Sequence, residues 1–158
     1  MQSVEQEIEQ AIEEILEASA EIIAEEATEY YKESFERKGW NGVPWLPVKN
    51  PPSRGSLMLR STQLMNSIRP IEINKERVVI AAGYEDHVEY ARVHNEGYDG
   101  TVNVKAFTRM VKGKPQQVKD HTRHMQVPQR QFMGVTDALE ERLTTRIAST
   151  IESIFSED

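Results

Sequence analysis

Val104-Lys105-Ala106-Phe107-Thr108-Arg109-Met110 is echoed by Val118-Lys119-Asp120-His121-Thr122-Arg123-His124. Val, Lys, Thr and Arg recur in the same order 14 residues on. Lys112-Gly113-Lys114-Pro115 lies between the two runs, and its Gly and Pro read as a turn. The pattern predicts two antiparallel strands forming a hairpin over residues 101–127. Within each strand Lys and Arg are four apart, so they share a face. The bases Lys105, Arg109, Lys112, Lys114, Lys119 and Arg123 stand against a single carboxylate, Asp120. So many charges resist burial without partners. The hairpin is therefore expected to project from the body.

Outward from this segment the chain alternates helix and strand signals. Ile71-Glu72-Ile73 and Arg77 to Ala81 read as strands joined by a turn at Asn74 to Glu76. Residues 86–95 suit a short helix stopped by Gly97, with Val88, Ala91 and His94 on one side. Residues 57–68 predict another helix, Leu57, Leu64 and Ile68 inward, ended by Pro70. The stretch 38–56 is rich in Pro and reads as loop, yet it holds Trp40, Trp45 and Leu46. Such large apolar groups are expected to be pinned to a core or a partner.

The two ends are helical by periodicity. Over residues 3–37, Ile8, Ile12, Ile15, Ile22 and Tyr30 recur at helical steps, with glutamates on the other face. Ser3 and Gln6 match a capping box, and Gly39 is a natural stop. A helix this long must pack along a body or against a neighbouring chain. At the far end Leu139, Leu143, Ile147, Ile151 and Ile154 step along one face of a helix over 135–155. Thr136 and Asp137 offer capping oxygens.

The 158 residues fit one domain, and 38% apolar with 28% charged residues is a globular mixture. The absence of Cys excludes disulfides, thiolate metal sites and cysteine nucleophiles. No run approaches the length of a membrane span, and the acidic start lacks a signal-peptide layout. The expectation is a soluble intracellular protein. Charge is segregated. Residues 1–36 hold 12 acids and one base (net −11), residues 37–136 hold 16 bases and 8 acids (+8), and residues 137–158 hold 6 acids and 2 bases (−4), giving −7 in all. Such blocks point to complementary faces, within the fold or between copies.

Motifs for catalysis are sparse. No Gly-rich phosphate loop and no serine elbow occurs. His121 and His124, three apart on a strand, point to opposite faces, which is poor geometry for a shared metal. Glu85, Asp86 and Glu89 surround His87, an acid–base pairing that reads more simply as an exposed helix side. No catalytic residue, metal ligand or cofactor is assigned. A nucleic-acid-binding module using the basic hairpin remains the alternative, with Tyr98, Phe107 and His121 available for stacking. The acidic balance of the whole chain argues against it.

Three signatures, in order, resemble the phage virion morphogenesis or tail completion proteins. They are Trp45-Leu46-Pro47 followed by Leu59 to Ile68, then Gly83 with Tyr90-Ala91-Arg92-Val93-His94-Asn95-Glu96-Gly97, then Pro128-Gln129-Arg130-Gln131-Phe132-Met133-Gly134 before the last helix. The resemblance covers residues 40–155. It departs at Ser61-Thr62, where the family often carries Thr-Gly. It implies a structural role in finishing the phage tail or joining it to the head. It also implies a homo-oligomeric ring, with six copies the working number, around the DNA passage. Implied partners are tail tube or head–tail connector proteins, with DNA only as lumen contents and no membrane. The implied location is the virion, and the host bacterial cytoplasm during assembly. Of the signature residues, Trp45, Tyr90 and Phe132 are expected to anchor core or loops. Ala91 and His94 belong to the helix face, Gly97 and Gly134 supply turn conformations, and Arg130 bridges carbonyls or a carboxylate.

The whole reading is one α+β domain over residues 1–158. A mostly antiparallel sheet of about four strands is packed by the long N-terminal helix and the C-terminal helix, and a basic β-hairpin projects. The candidate interface is Lys105, Arg109, Lys119 and Arg123, with acids of the first helix as complements.

Overall fold

The computed structural model describes residues 3–50, 53–83 and 88–156. Helix α1, Val4–Arg37, begins as its sequence requires: Ser3 Oγ accepts from the Gln6 amide and Gln6 Oε1 accepts from the Ser3 amide. It ends one residue before the expected glycine, at Lys38, whose left-handed backbone (φ 52°) sends its N–H to the Ser34 carbonyl. Only the second half of α1 is buried. Ala20, Ile22, Ala24, Ala27, Tyr30 and Phe35 face the body, whereas Val4, Ile8, Ile12 and Leu16 stay exposed.

The proline-rich stretch after α1 opens with a small hairpin, not loop alone. β1 (Gly39–Trp40) pairs with β2 (Val43–Pro44). Asn41 and Gly42 turn it with φ of 47° and 77°, the two positive values a tight hairpin turn needs. This places Trp40 against Tyr30 (ring centroids 5.8 Å apart) and aims Trp45 at Phe35 (5.5 Å).

The helix expected over 57–68 is only α2, Gln63–Asn66. A bridge between Ser56 and Leu59 and left-handed backbone at Met58 (φ 63°) and Thr62 (φ 57°) interrupt it. Thr62 occupies the position where the family pattern often has Gly, and the backbone shows why Gly suits it. Leu57 still packs on the core, with Leu64 and Ile68 buried.

β3 (Arg69–Asn74) and β4 (Arg77–Ala81) form a hairpin across α1. Asn74 Oδ1 accepts from the amides of Glu76 and Arg77 and so closes its turn. α3 (Val88–Glu96) follows, and Gly97 (φ 81°) ends it. Residues 84–87, with His87 and its acidic neighbours Glu85 and Asp86, lie outside the described residues. β5 (Tyr98–Val104), β6 (Phe107–Val111), β7 (Lys114–Val118) and β8 (His121–Val127) make the long ribbon, and α4 (Asp137–Ser156) closes the fold along α1. Thr136 Oγ1 accepts from the Leu139 amide at the start of α4.

The class is α+β with antiparallel pairing, as expected. The strands differ in one respect: they form separate pairs (β1–β2, β3–β4, β5–β8 and β6–β7), not one sheet of about four. α1 and α4 supply the continuous surface a wider sheet would have supplied. The core is aromatic. Phe35, Trp45, Leu64, Ile68, Ala91 and Phe132 form one cluster, and Ala27, Tyr30, Trp40 and Leu139 form another.

Three stability outcomes follow from this packing and backbone geometry. Phe35→Ala should lower the unfolding free energy by about 3–5 kcal/mol, while Ile8→Ala should change the monomer by less than about 0.5 kcal/mol. Thr62→Gly should raise stability by about 0.5–1 kcal/mol by relieving left-handed strain. Urea denaturation of dilute protein checks all three.

Candidate assembly interface

The ribbon is one ladder with a break. Pairing runs from Tyr98↔Val127 to Val104↔His121, and resumes from Phe107↔Val118 to Val111↔Lys114. Residues 105–106 and 119–120 lie between, and there the Ala106 amide donates to the Asp120 carboxylate. Two residues are skipped on each strand, so the register is unchanged across the break. Lys112 and Gly113 alone make the tip, with φ of 50° and 78°. Lys114 and Pro115, expected in the turn, are strand residues instead. Pro115 fits because a two-stranded ribbon leaves each outer edge without a ladder partner.

The four candidate cations divide. Arg109 stands opposite Gln116 and its Nε–H donates to Gln116 Oε1 at 2.9 Å. Arg123 stands opposite Val102. Positions 102 and 109 are seven apart, so alternation puts Arg109 and Arg123 on opposite faces of the ribbon. Lys105 and Lys119 sit at the break. Phe107, Met110 and Val111 are exposed beside these bases. His121 and His124 do alternate, and His124 Nε2 pairs with Asp99 Oδ1 at 3.0 Å.

The complement on α1 is split by the fold. Arg142 of α4 binds Glu26, Glu29 and Glu33, and Arg146 binds Glu25 and Glu26. The Glu26 side chain is 5% exposed, so the cluster clamps the helices around one buried carboxylate, with Glu25, Glu29 and Arg146 at its open rim. Glu13 holds Lys75 at 2.7 Å, and its hydrogen bond and charge raise the pKa of that lysine. Among the described residues Glu5, Glu7, Glu9, Glu14 and Glu21 form no salt bridge. The first half of α1 therefore presents carboxylates alongside the exposed Val4, Ile8, Ile12 and Leu16.

The signature residues meet in a clasp. The segment Pro128 to Gly134 crosses the core, and its backbone is satisfied from two distant places. The Arg130 amide donates to the His94 carbonyl at 2.8 Å. Asn95 Oδ1 accepts from the amides of Phe132 and Met133 at 2.9 and 3.0 Å. Trp45 Nε1 donates to the Gln131 carbonyl at 2.7 Å, and Arg130 Nε donates to the Leu46 carbonyl at 3.0 Å. Phe132 and Ala91 are buried inside it. Gly97 lies so near that a Cβ would come 3.1 Å from the Gln129 amide nitrogen. Gly134 (φ 154°) lies against the Trp40 ring and the Gln131 amide, where a Cβ would clash.

Tyr90 is a correction. It is 55% exposed, edge-on to the His94 ring at 4.5 Å one helical turn away, and both line a cavity with Arg130. Asn95 is the functional residue that sequence reasoning passed over. Its signal was present, a polar residue just before the helix-ending Gly97, but only the fold brings two orphan amides to it. Burial, then the charge of Arg130, lowers the pKa of His94.

Clasped loops, a helix clamp and a projecting two-stranded ribbon define a small α+β protein. The chain belongs to the phage virion morphogenesis family, whose model matches residues 1–152. Membership supports a structural or assembly role in a phage. No curated protein and no solved structure matches the chain significantly.

The clamp has a pH signature. Burial pushes the Glu33 carboxyl up, but the hydrogen bonds and charges of Arg142 and Arg37 outweigh it and leave the pKa lowered. The folded chain then binds this proton less readily than the unfolded chain. Its contribution is complete above the ordinary glutamate value of about 4.3 and is lost as pH falls through the lowered folded value. Arg142→Met should flatten this acid limb of the stability curve, measured by urea denaturation at successive pH values.

Proposed function

We propose that this protein acts in completing the phage tail or joining it to the head. In this reading it works as a closed ring of identical subunits, within the virion and, during assembly, in the host cytoplasm. One observation carries the reading: the chain exposes two surfaces that match each other and not themselves. The ribbon offers Lys105, Arg109, Lys119 and Arg123 around Phe107, Met110 and Val111. The first half of α1 offers glutamates around Val4, Ile8, Ile12 and Leu16. Contact between unlike surfaces of identical chains is head-to-tail, and such contacts close into rings when the rotation permits. Opposite charge sets register and partner choice, and apolar area supplies affinity. Because Arg109 and Arg123 face opposite ways, the ribbon would be gripped on both faces, by a neighbouring subunit on one and by a tail tube or connector protein on the other.

Light scattering across concentration and salt, with negative-stain images, tests this. The expected species is a ring. Arg109→Glu with Arg123→Glu should weaken it about tenfold or more while leaving the monomer folded, and Glu9→Lys with Glu14→Lys in the same chain should restore part of the loss. Assembly unchanged by the charge reversals at physiological salt would remove the ribbon from the interface.

The second reading is nucleic-acid binding by the ribbon, favoured by its exposed bases and by the ability of a two-stranded ribbon to enter a major groove. It requires DNA affinity in the isolated chain that falls steeply with salt.

A further inference from the structure

A cavity of about 510 Å³ lies between the 56–64 loop, α3 and the clasp. Its volume is within the range of small-ligand sites. In a chain of net charge −7, no carboxylate is among the described residues that line it. Two guanidinium groups are. Arg60 is exposed at the rim, and Arg130 is 5% exposed at the wall.

Arg130 is the unusual one. Its Nε–H is donated to the Leu46 carbonyl, and no described carboxylate pairs with it. A buried guanidinium has five N–H donors and favours a planar, bidentate acceptor. His94 Nδ1 beside it is buried and has no hydrogen-bond partner among the described residues. The unpaired, buried His94 Nδ1 is costly where it stands, and the Arg130 guanidinium beside the cavity keeps donors that the Leu46 carbonyl does not use. Further round the wall Leu57, Met58 and Leu64 are apolar. Met58 and Thr62, both lining residues, hold left-handed backbone, the strain that binding sites tend to carry.

We propose that this cavity binds a carboxylate carried on an apolar body. The carboxylate would lie on the Arg130 guanidinium next to the His94 ring, and the body against Leu57, Met58 and Leu64. The end of a polypeptide chain and a free branched acid share this chemistry. Inorganic phosphate does not, because it has no group to cover the apolar wall. The proposal does not depend on the assembly reading, since it concerns the isolated chain.

The test is an NMR titration of the intact protein that follows the His94 ring signals. The probes are N-acetyl-leucine, its uncharged amide, isovalerate and inorganic phosphate. N-acetyl-leucine should shift the His94 signals saturably and the amide should not. A preference for N-acetyl-leucine over isovalerate assigns the source as a chain end, and equal binding assigns it as a free acid. Arg130→Lys should weaken binding about tenfold or more, the loss of a charged hydrogen bond. Because Arg130 also holds the Leu46 carbonyl, Ser61→Glu at the exposed rim serves as a second variant, and its negative charge should weaken binding too. Three results would overturn the proposal: no saturable shift with either acid, equal binding of the amide, or tighter binding of phosphate. Binding that neither variant alters would place the acid elsewhere and overturn it as well.

Discussion

The fold depends on satisfying the backbone of a loop that runs through its core. Pro128 to Gly134 has no ladder partner, yet Phe132 must be buried beside Phe35. Each buried amide and carbonyl left unpaired there would cost on the order of 1–3 kcal/mol. Asn95, the His94 carbonyl and the Trp45 indole meet that demand from both sides, and the Arg130 guanidinium returns a bond to the Leu46 carbonyl. The three family signatures are the parts of this one clasp. Their residue types follow from it: an amide oxygen facing two N–H groups, an indole N–H for a carbonyl, and a glycine where a Cβ would strike the loop.

The clasp fixes one end of the molecule, and the α1–α4 clamp fixes the other. Glu26 is buried between Arg142 and Arg146, a pairing that is tolerable because two cations answer one desolvated carboxylate. The clamp also sorts the acidic residues of α1. Glu25, Glu26, Glu29 and Glu33 of its second half are paired within the chain, whereas among the described residues Glu5, Glu7, Glu9 and Glu14 of its first half form no salt bridge. Charge that looks uniform along the sequence is thus divided by the fold.

The ribbon is a different kind of element. Its strands contact each other far more than they contact the body, and cross-strand pairing together with side-chain bonds such as Arg109–Gln116 and His124–Asp99 holds its shape. Its break at 105–106 and 119–120, which holds Lys105 and Lys119, is bridged by the Ala106 amide and the Asp120 carboxylate.

The sequence by itself determined the features that local chemistry controls. The Ser3–Gln6 cap, the course of α1 and α4, the antiparallel ribbon and its alternation all depend on residues a few positions apart, and all were legible. The resemblance of the three signatures was legible too, though not their physical meaning. Tertiary structure decided the burial of α1, the α1–α4 clamp and the clasp, because their partners are 30 to more than 100 residues away in sequence. Only packing shows that α1 is buried over its second half, that Arg142 and Arg146 occupy the glutamates there, and that Asn95 collects the amides of Phe132 and Met133. Tyr90 is expected to be an anchor because it is an aromatic signature residue, yet it lies 55% exposed at the cavity it shares with His94 and Arg130. The 57–68 segment is helical by its apolar spacing, yet a Ser56–Leu59 bridge and a left-handed Thr62 cut it to a single turn. Local periodicity states which elements can form, and long-range burial and hydrogen bonding choose how much of each survives.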